Sequence, residues 1–336
     1  MKKNNTKILI IGNAGYIGTV LTDYLLESNY FVRGFDLCIY NNHQTILPFL
    51  SKPNYEFCYG DLRDENALKK ALKDIIHVVL LAGLVGDPIT KKYSDFSEKV
   101  NYTGLINAIN LIRNFQNIER VIFVSTCSNY GLIKGDELAD ECHELKPLSL
   151  YAKAKVAVEQ HLLGLSGKIH YTPIILRFAT AFGLSPRMRF DLTINEFTKD
   201  LYCGKNLLVY DAKTWRPYCH VVDFAHIIRK TLEAPLSNVA FQVFNAGGDV
   251  NNNTKQMIVD QIQLFIPNSN ITYKEHGTDP RNYRVDFRKI KDILEFEPQY
   301  TVQDGIQEIL QALKQHLFDK IEKNKDFYGN YTIDIN

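Results

Sequence analysis

In the stretch LSLYAKAKVAVEQHLLGL, Tyr151 and Lys155 stand four residues apart. The pattern predicts a helix capped near Ser149, with the phenol and the ammonium one turn apart on one face. A phenol with a pKa of about 10 acts as a base at neutral pH only if that value falls by about three units, roughly 4 kcal/mol of differential stabilisation. A neighbouring ammonium favours the phenolate and contributes to that fall. Taken alone, Y-x-x-x-K is common by chance, as a surface tyrosine beside a solvated lysine. A second stretch adds weight: VIFVSTCSNYG, Val121 to Gly131, begins as buried strand and then changes into hydroxyls, a thiol, an amide and a phenol.

Elements that could position these groups follow from the hydrophobic runs. KILIIG, FVRGFD, YEFCYGD, HVVLLAG, VIFVS and TPIILRF are short apolar stretches separated by amphipathic ones at 16–28, 62–73, 95–114 and 150–165. Continuous apolar strands alternating with helices predict an α/β fold with a doubly wound parallel sheet covered on both faces. The first strand runs into Gly12, Gly15 and Gly18, with Tyr16 and Ile17 in the same turn, ahead of a helix. Such a turn lets backbone approach a pyrophosphate whose charge then sits at the positive helix end, although the spacing is G-x-x-G-x-x-G rather than the commoner G-x-G-x-x-G. The next strand ends in Asp36, eighteen residues past the last glycine, where a carboxylate can accept ribose hydroxyls and would repel a 2′-phosphate. NAD is therefore expected over NADP. In GDLRD, Asp61 is placed to meet the adenine edge, with Leu62 beside it at the cofactor, and a role for Asp61 as cap of helix 62–73 is compatible with that. Leu81, Ala82 and Gly83 end the fourth strand with small groups over which a cofactor can lie. Together these features describe a Rossmann-type domain over 1–183 that includes the Tyr151 helix. From about residue 184 the alternation breaks down, and 184–336 reads as a smaller mixed C-terminal substrate-binding lobe, with some segments returning to the first domain.

Composition limits the alternatives. Lys plus Arg (39) nearly balance Asp plus Glu (38) over 336 residues, so no overall charge speaks for nucleic acid or a membrane surface as partner. No segment reaches the roughly 18 apolar residues of a membrane span, and the apolar run after Lys7 is cut short by glycines, so a cytoplasmic protein is expected. The six cysteines lack any C-x-x-C spacing, which argues against a zinc site and a disulfide framework.

These residues together resemble the extended short-chain dehydrogenase/reductase superfamily, in particular its NAD-dependent nucleotide-sugar epimerase/dehydratase branch. The resemblance spans nearly the whole chain: the three glycines, Asp36, GDLRD, LLAG, the helix carrying Asn101, STCSNYG, YAKAK, LRFATAFG, RPYCHVVDFA and FNAGG occur in the family's order. It implies that Tyr151 is the base, that Lys155 lowers its pKa and holds the nicotinamide ribose, and that Thr126 is the hydroxyl bridging the reacting sugar oxygen. The alternative for Thr126 is a backbone bond at a strand end. Arg216 in WRPYCHVVD and Arg281 in DPRNYRVD match arginines that hold the nucleotide's phosphates, with Arg284 a neighbour. Thr180 stands where the branch usually has Asn. Arg187 and Arg189 in SPRMRFDL suit a diphosphate or a solvated turn. His220 and Asp223 read as structural, a satisfied histidine and a helix cap.

Family members that remove water across C5 and C6 carry an acidic pair directly after the Ser/Thr, where this chain has Cys127 and Ser128, so a 4,6-dehydratase is disfavoured. Oxidation at C4 remains, ending in epimerisation or in release of the keto sugar. SPRMR-x-DL and LVGDP are similar to elements of bacterial surface-polysaccharide enzymes. Other readings are a non-catalytic NAD-binding regulator and a reductase of a non-sugar substrate. The resemblance also implies a homodimer formed through 95–115 and 150–165.

Overall fold

The computed structural model describes residues 6–133, 135–277, 279, 281–318 and 321–333. Seven strands form one parallel sheet: β1 (Lys7–Ile11), β2 (Phe31–Asp36), β3 (Tyr55–Tyr59), β4 (His77–Leu80), β5 (Arg120–Thr126), then, past a short β6 (Leu138–Ala139), β7 (Thr172–Phe178), and much later β11 (Val243–Ala246). Their spatial order is β11-β7-β5-β4-β1-β2-β3. The order reverses between β1 and β4, and a doubly wound sheet opens its crevice at the carboxyl ends of strands at such a point.

Alternation along β1 explains why the strand reads as uniformly apolar. Ile8 and Ile10 enter one core with Leu21 and Leu25 of α1 (Tyr16–Glu27), whereas Leu9 and Ile11 enter the opposite core. That second core is completed by Leu68 of α2 (Glu65–Ala71), then, beyond α3 (Asp87–Lys92) and α4 (Ser94–Glu98), by Leu105 of α5 (Leu105–Ile112) and Leu162 of α6 (Leu150–Leu163). With successive side chains pointing to opposite faces, both must be apolar when helices cover both.

Two helices differ from the sequence reading. The helix expected at 62–73 starts at Glu65, because the Asp64 carboxylate accepts the N–H groups of Asn66 (2.9 Å) and Ala67 (3.1 Å). Asp61 is therefore not the cap; it accepts from Arg63 instead. The helix expected at 95–114 is interrupted by a π-helical turn, Lys99–Gly104. Within it the amide of Asn101 accepts from Leu84 N (2.7 Å) and donates to Leu84 O (2.9 Å), tying the turn to the loop after β4. A π turn re-aims a side chain in this way at the expense of regular packing, and such turns favour functional sites.

Past residue 178 the chain builds a second lobe from small sheets. β8 (Thr180–Phe182) and β12 (Asn252–Thr254) flank β10 (Trp215–His220), β9 (Leu207–Tyr210) pairs with β13 (Ile271–Lys274), and β14 (Arg284–Val285) pairs with β6. Phe182, Val209, Tyr218 and Ile258 form its core beside Phe197 of α7 (Thr193–Tyr202). The next helix, α8 (Val221–Glu233), packs Phe224 and Ile228 into the core of the large sheet, just ahead of β11. Among the described residues no helix is long and apolar enough to cross a membrane.

Candidate active site

A cavity of about 610 Å³ runs along the carboxyl edge of the large sheet and under the second lobe. Apart from the neighbour Arg284, the site residues read from the sequence line it: Gly12, Gly15, Tyr16, Ile17, Gly18, Asp36, Asp61, Leu62, Leu81, Ala82, Gly83, Thr126, Tyr151, Lys155, Thr180, Arg187, Arg189, Arg216 and Arg281.

The glycines serve different ends. Gly12 has φ +99°, and a Cβ there would lie 2.7 Å from Ala82 N; one on Gly18 would lie 2.2 Å from Gly12 O. Both positions are closed by backbone. A Cβ on Gly15 meets only Gly12 O, at 3.4 Å, so this residue faces open space. It caps the twelve-residue α1 without a side-chain hydrogen bond, leaving the first amides of that helix directed at the cavity. Asp36 accepts from Ala14 N (3.0 Å) and Cys38 N (2.7 Å), which fixes its carboxylate against the turn while burial raises its pKa.

Ser149 caps α6 by accepting from Ala152 N, as read from the sequence, and the helix then presents Tyr151 and Lys155 to the cavity. Lys155 is 1% exposed; its Nζ donates to Val124 O (2.8 Å) and lies 5.7 Å from the Tyr151 ring centre. Burial pulls its pKa down to about 7, with Glu159 acting in the opposite sense. The expected lowering of the Tyr151 pKa by its lysine is not what the protein alone imposes. Burial pushes that phenol up, Arg189 acts to lower it, and Asp87 and Tyr283 raise it further. Thr126 ends β5 with Oγ1 accepting from Ser128 N (3.1 Å), so its role as a strand-end backbone partner is real. Its hydroxyl proton remains available to a ligand, since that bond uses only a lone pair.

Behind this edge lies a buried polar network. Glu159, one turn past Lys155, accepts from Ser125 Oγ, from Asn129 Nδ2 (2.7 Å) and from Arg177 Nη2 (2.8 Å). Arg177 also donates to the Tyr130 hydroxyl (3.0 Å), which donates to Asn245 Oδ1. Ser125 and Asn129 are thereby committed to structure, and the Cys127 thiol donates to Arg177 O. Ser125, Thr126 and Ser128 all line the cavity, but the Ser125 hydroxyl is held by the buried Glu159.

At the far end, Arg216 Nη2 (3.0 Å) and Arg281 Nε (2.8 Å) both reach Asp279, and Arg281 also contacts Asp87 (3.1 Å) and Ser128 Oγ (3.3 Å). Although burial raises Asp279, the hydrogen bond from Arg281 and the charge of Arg216 hold it well below the usual carboxylate range. Two guanidiniums that converge on one carboxylate can equally well receive another oxyanion in its place. Lys255 also lines this end. Arg187 and Arg189 lie elsewhere: Arg187 stacks over Tyr40 (4.8 Å) toward Asp36, and Arg189 pairs with Asp191 (2.6 Å). Arg284, paired with Asp136, does not line the cavity, and His220 rather than Asp223 caps α8.

Residues 8–247 match the model of the NAD dependent epimerase/dehydratase family. The chain belongs to that family. Among its relatives, a UDP-glucuronate 4-epimerase of Thermodesulfobacterium geofontis is 24% identical over 92% of this chain and 96% of its own. The NAD complex of a dTDP-glucose 4,6-dehydratase from Bacillus anthracis superposes with a TM-score of 0.80 at 26% identity, covering 92% of this chain and 97% of the other. A UDP-glucuronic acid 4-epimerase from Bacillus cereus, in complex with UDP-glucuronic acid and NAD, has a TM-score of 0.82 at 24% identity, with 93% and 100% covered.

The cofactor of this epimerase-family enzyme is NAD, and the residues present suit it. The open Gly15 cradle with its free helix amides matches a pyrophosphate, and the fixed Asp36 carboxylate matches a ribose diol. The two acids of the far end, Asp87 and Asp279, are not evident from the sequence, although both lie in motifs noted above, LVGDP and DPRNYRVD. Lys255, Glu159, Asn330 and Tyr331 carry no signal in the sequence, because their partners are brought to them by the fold.

Proposed function

We propose that the enzyme oxidises C4 of a nucleotide-diphospho-sugar and then either returns the hydride to the opposite face, as a C4 epimerase, or releases the keto sugar, as a 4-dehydrogenase. The observation that carries this reading is one cavity with the Gly15 cradle at one end, Thr126, Tyr151 and Lys155 in the middle, and Arg216 and Arg281 at the other. NAD, when bound, supplies the hydride acceptor and a positive ring that favours the Tyr151 phenolate. Tyr151 then removes the proton of the C4 hydroxyl, Thr126 holds that oxygen through its free O–H, and Lys155 holds the nicotinamide ribose. Arg216 and Arg281 bind the diphosphate after exchanging Asp279 for it, and Arg189 and Thr180 line the cavity between.

A 4,6-dehydratase finds no support at the place where a carboxylic acid is needed: Cys127 is a buried thiol pushed up by burial, and Ser128 bonds Tyr283. A non-catalytic regulator has no need of the three reacting groups facing one cavity, and a non-sugar reductase has no need of paired guanidiniums there. Surface-polysaccharide biosynthesis as the setting and a homodimer through α5 and α6 belong to the same reading. The test is incubation with NAD and a panel of UDP-, dTDP-, CDP- and GDP-sugars, following NADH absorbance and product mass. A product of unchanged mass without lasting NADH means epimerisation, and one lighter by two hydrogens with NADH accumulating means dehydrogenation. The Tyr151→Phe variant must lose both; turnover that survives it refutes the reading.

A further inference from the structure

The SPRMR segment has a task that the phosphate reading of Arg187 does not explain. Arg187 is 1% exposed, and its guanidinium is spent on a distant part of the chain: Nη2 donates to Gly329 O (3.1 Å) and Asn330 Oδ1 (3.1 Å), and Nη1 donates to Met188 O (3.2 Å). The segment it holds, 327–331, is tied down on both sides of the cavity. On the side of the second lobe, Phe190 N donates to Tyr328 O (2.7 Å), the Asn330 N–H donates to Asp191, and Phe190 packs against Tyr328. On the side of the large sheet, Asn330 Nδ2 donates to Val85 O (3.0 Å) in the loop after β4, and Lys92 of α3 reaches Tyr331 O (3.4 Å). Asn330 and Tyr331 themselves line the cavity, and Tyr40, under Arg187, continues that wall toward Asp36.

We infer that Asn330 and Tyr331 are part of the NAD site and form, with Arg187 as latch, a strap that must open for the cofactor to exchange. The strap spans from the loop after β4 to the segment before α7, so it closes the side of the cavity that neither lobe covers alone. Its anchors are individual hydrogen bonds, three of them at Asn330, with a ring contact at Tyr328, and Tyr331 is 42% exposed, so it can open without unfolding either core. A cofactor held behind it is reused from one turnover to the next, which within the proposed reaction favours the epimerase outcome. The inference rests on NAD as cofactor and not on oxidation at C4, and its test needs no sugar.

The enzyme with NAD bound is mixed with excess fluorescent etheno-NAD, and the rate at which the analogue replaces NAD is followed for the unaltered protein, for N330A/Y331A and for R187K. Lysine keeps the charge of Arg187 but cannot bridge two acceptors in a fork. Both variants are expected to exchange at least tenfold faster. Exchange within twofold of the unaltered protein in N330A/Y331A, with its thermal unfolding unchanged, overturns the strap. Should R187K fail to fold, the double variant, which alters part-exposed side chains only, decides alone.

Discussion

Replacing Lys155 by Met is expected to make the protein more stable while removing its activity. The ammonium is 1% exposed and has one hydrogen-bond acceptor, Val124 O, and Glu159 is the acid that acts on it. A fall in pKa from 10.5 to about 7 corresponds to about 5 kcal/mol of preference against the charged form, at about 1.4 kcal/mol per pH unit. The sign follows from proton binding. Between pH 7 and 10.5 the unfolded chain keeps a proton that the folded chain releases, so stability rises with pH across that window and this contribution is flat below it. At pH 7 the folded protein therefore carries a penalty of about 4 kcal/mol. Methionine fills a similar volume without charge, and leaving Val124 O unpaired costs about 1–2 kcal/mol, so the net gain at pH 7 is about 2–3 kcal/mol. Urea unfolding of both proteins, stripped of cofactor, at pH 7 and pH 9.5 measures it. The gap between them should close as pH rises. A methionine variant less stable than the parent at pH 7, or a gap that does not change with pH, refutes the placement of a strained ammonium in this cavity.

Further outcomes follow from the same geometry. Thr126→Ser should keep kcat within about fivefold, because it retains both the bond to Ser128 N and a free proton, whereas Thr126→Val should lose about 10²-fold or more; equal losses would leave Thr126 as a strand-end residue only. Asp279→Asn should tighten inhibition by pyrophosphate by about 3–10-fold at low salt, with the gain shrinking in high salt, since the two arginines no longer share an acid; weaker inhibition would mean that Asp279 instead orients them. Gly15→Ala should fold and bind NAD more weakly in a titration, while Gly18→Ala, whose methyl would sit 2.2 Å from Gly12 O, should fail in folding before binding is reached. Reversal of that order would remove Gly15 from the cofactor cradle.

What the sequence makes legible here is what depends on near neighbours. The glycine turn, the Ser149 cap and the apolar strands each rest on residues within a few positions of one another, and spacing alone conveys them. The arginines show where that stops. Arg187, Arg216 and Arg281 look alike in sequence, each next to a proline and each suited to phosphate. Their fates are decided by partners 142, 63 and 2 residues away, namely Gly329 for the first and Asp279 for the other two. Only the last separation is short enough to read, and an acid beside an arginine is ordinarily a surface pair worth little. The Tyr151 pKa fails for the same reason in a different form. A lysine one turn away can be read from spacing, but desolvation depends on walls supplied by Val85, Arg189, Tyr283 and residues beyond 320, all distant in the chain. In this site the local pattern therefore names the groups proposed to react, and the long-range packing sets their charge state. A change confined to the walls, far from Tyr151 in sequence, should accordingly move the pH dependence of turnover without touching Thr126, Tyr151 or Lys155.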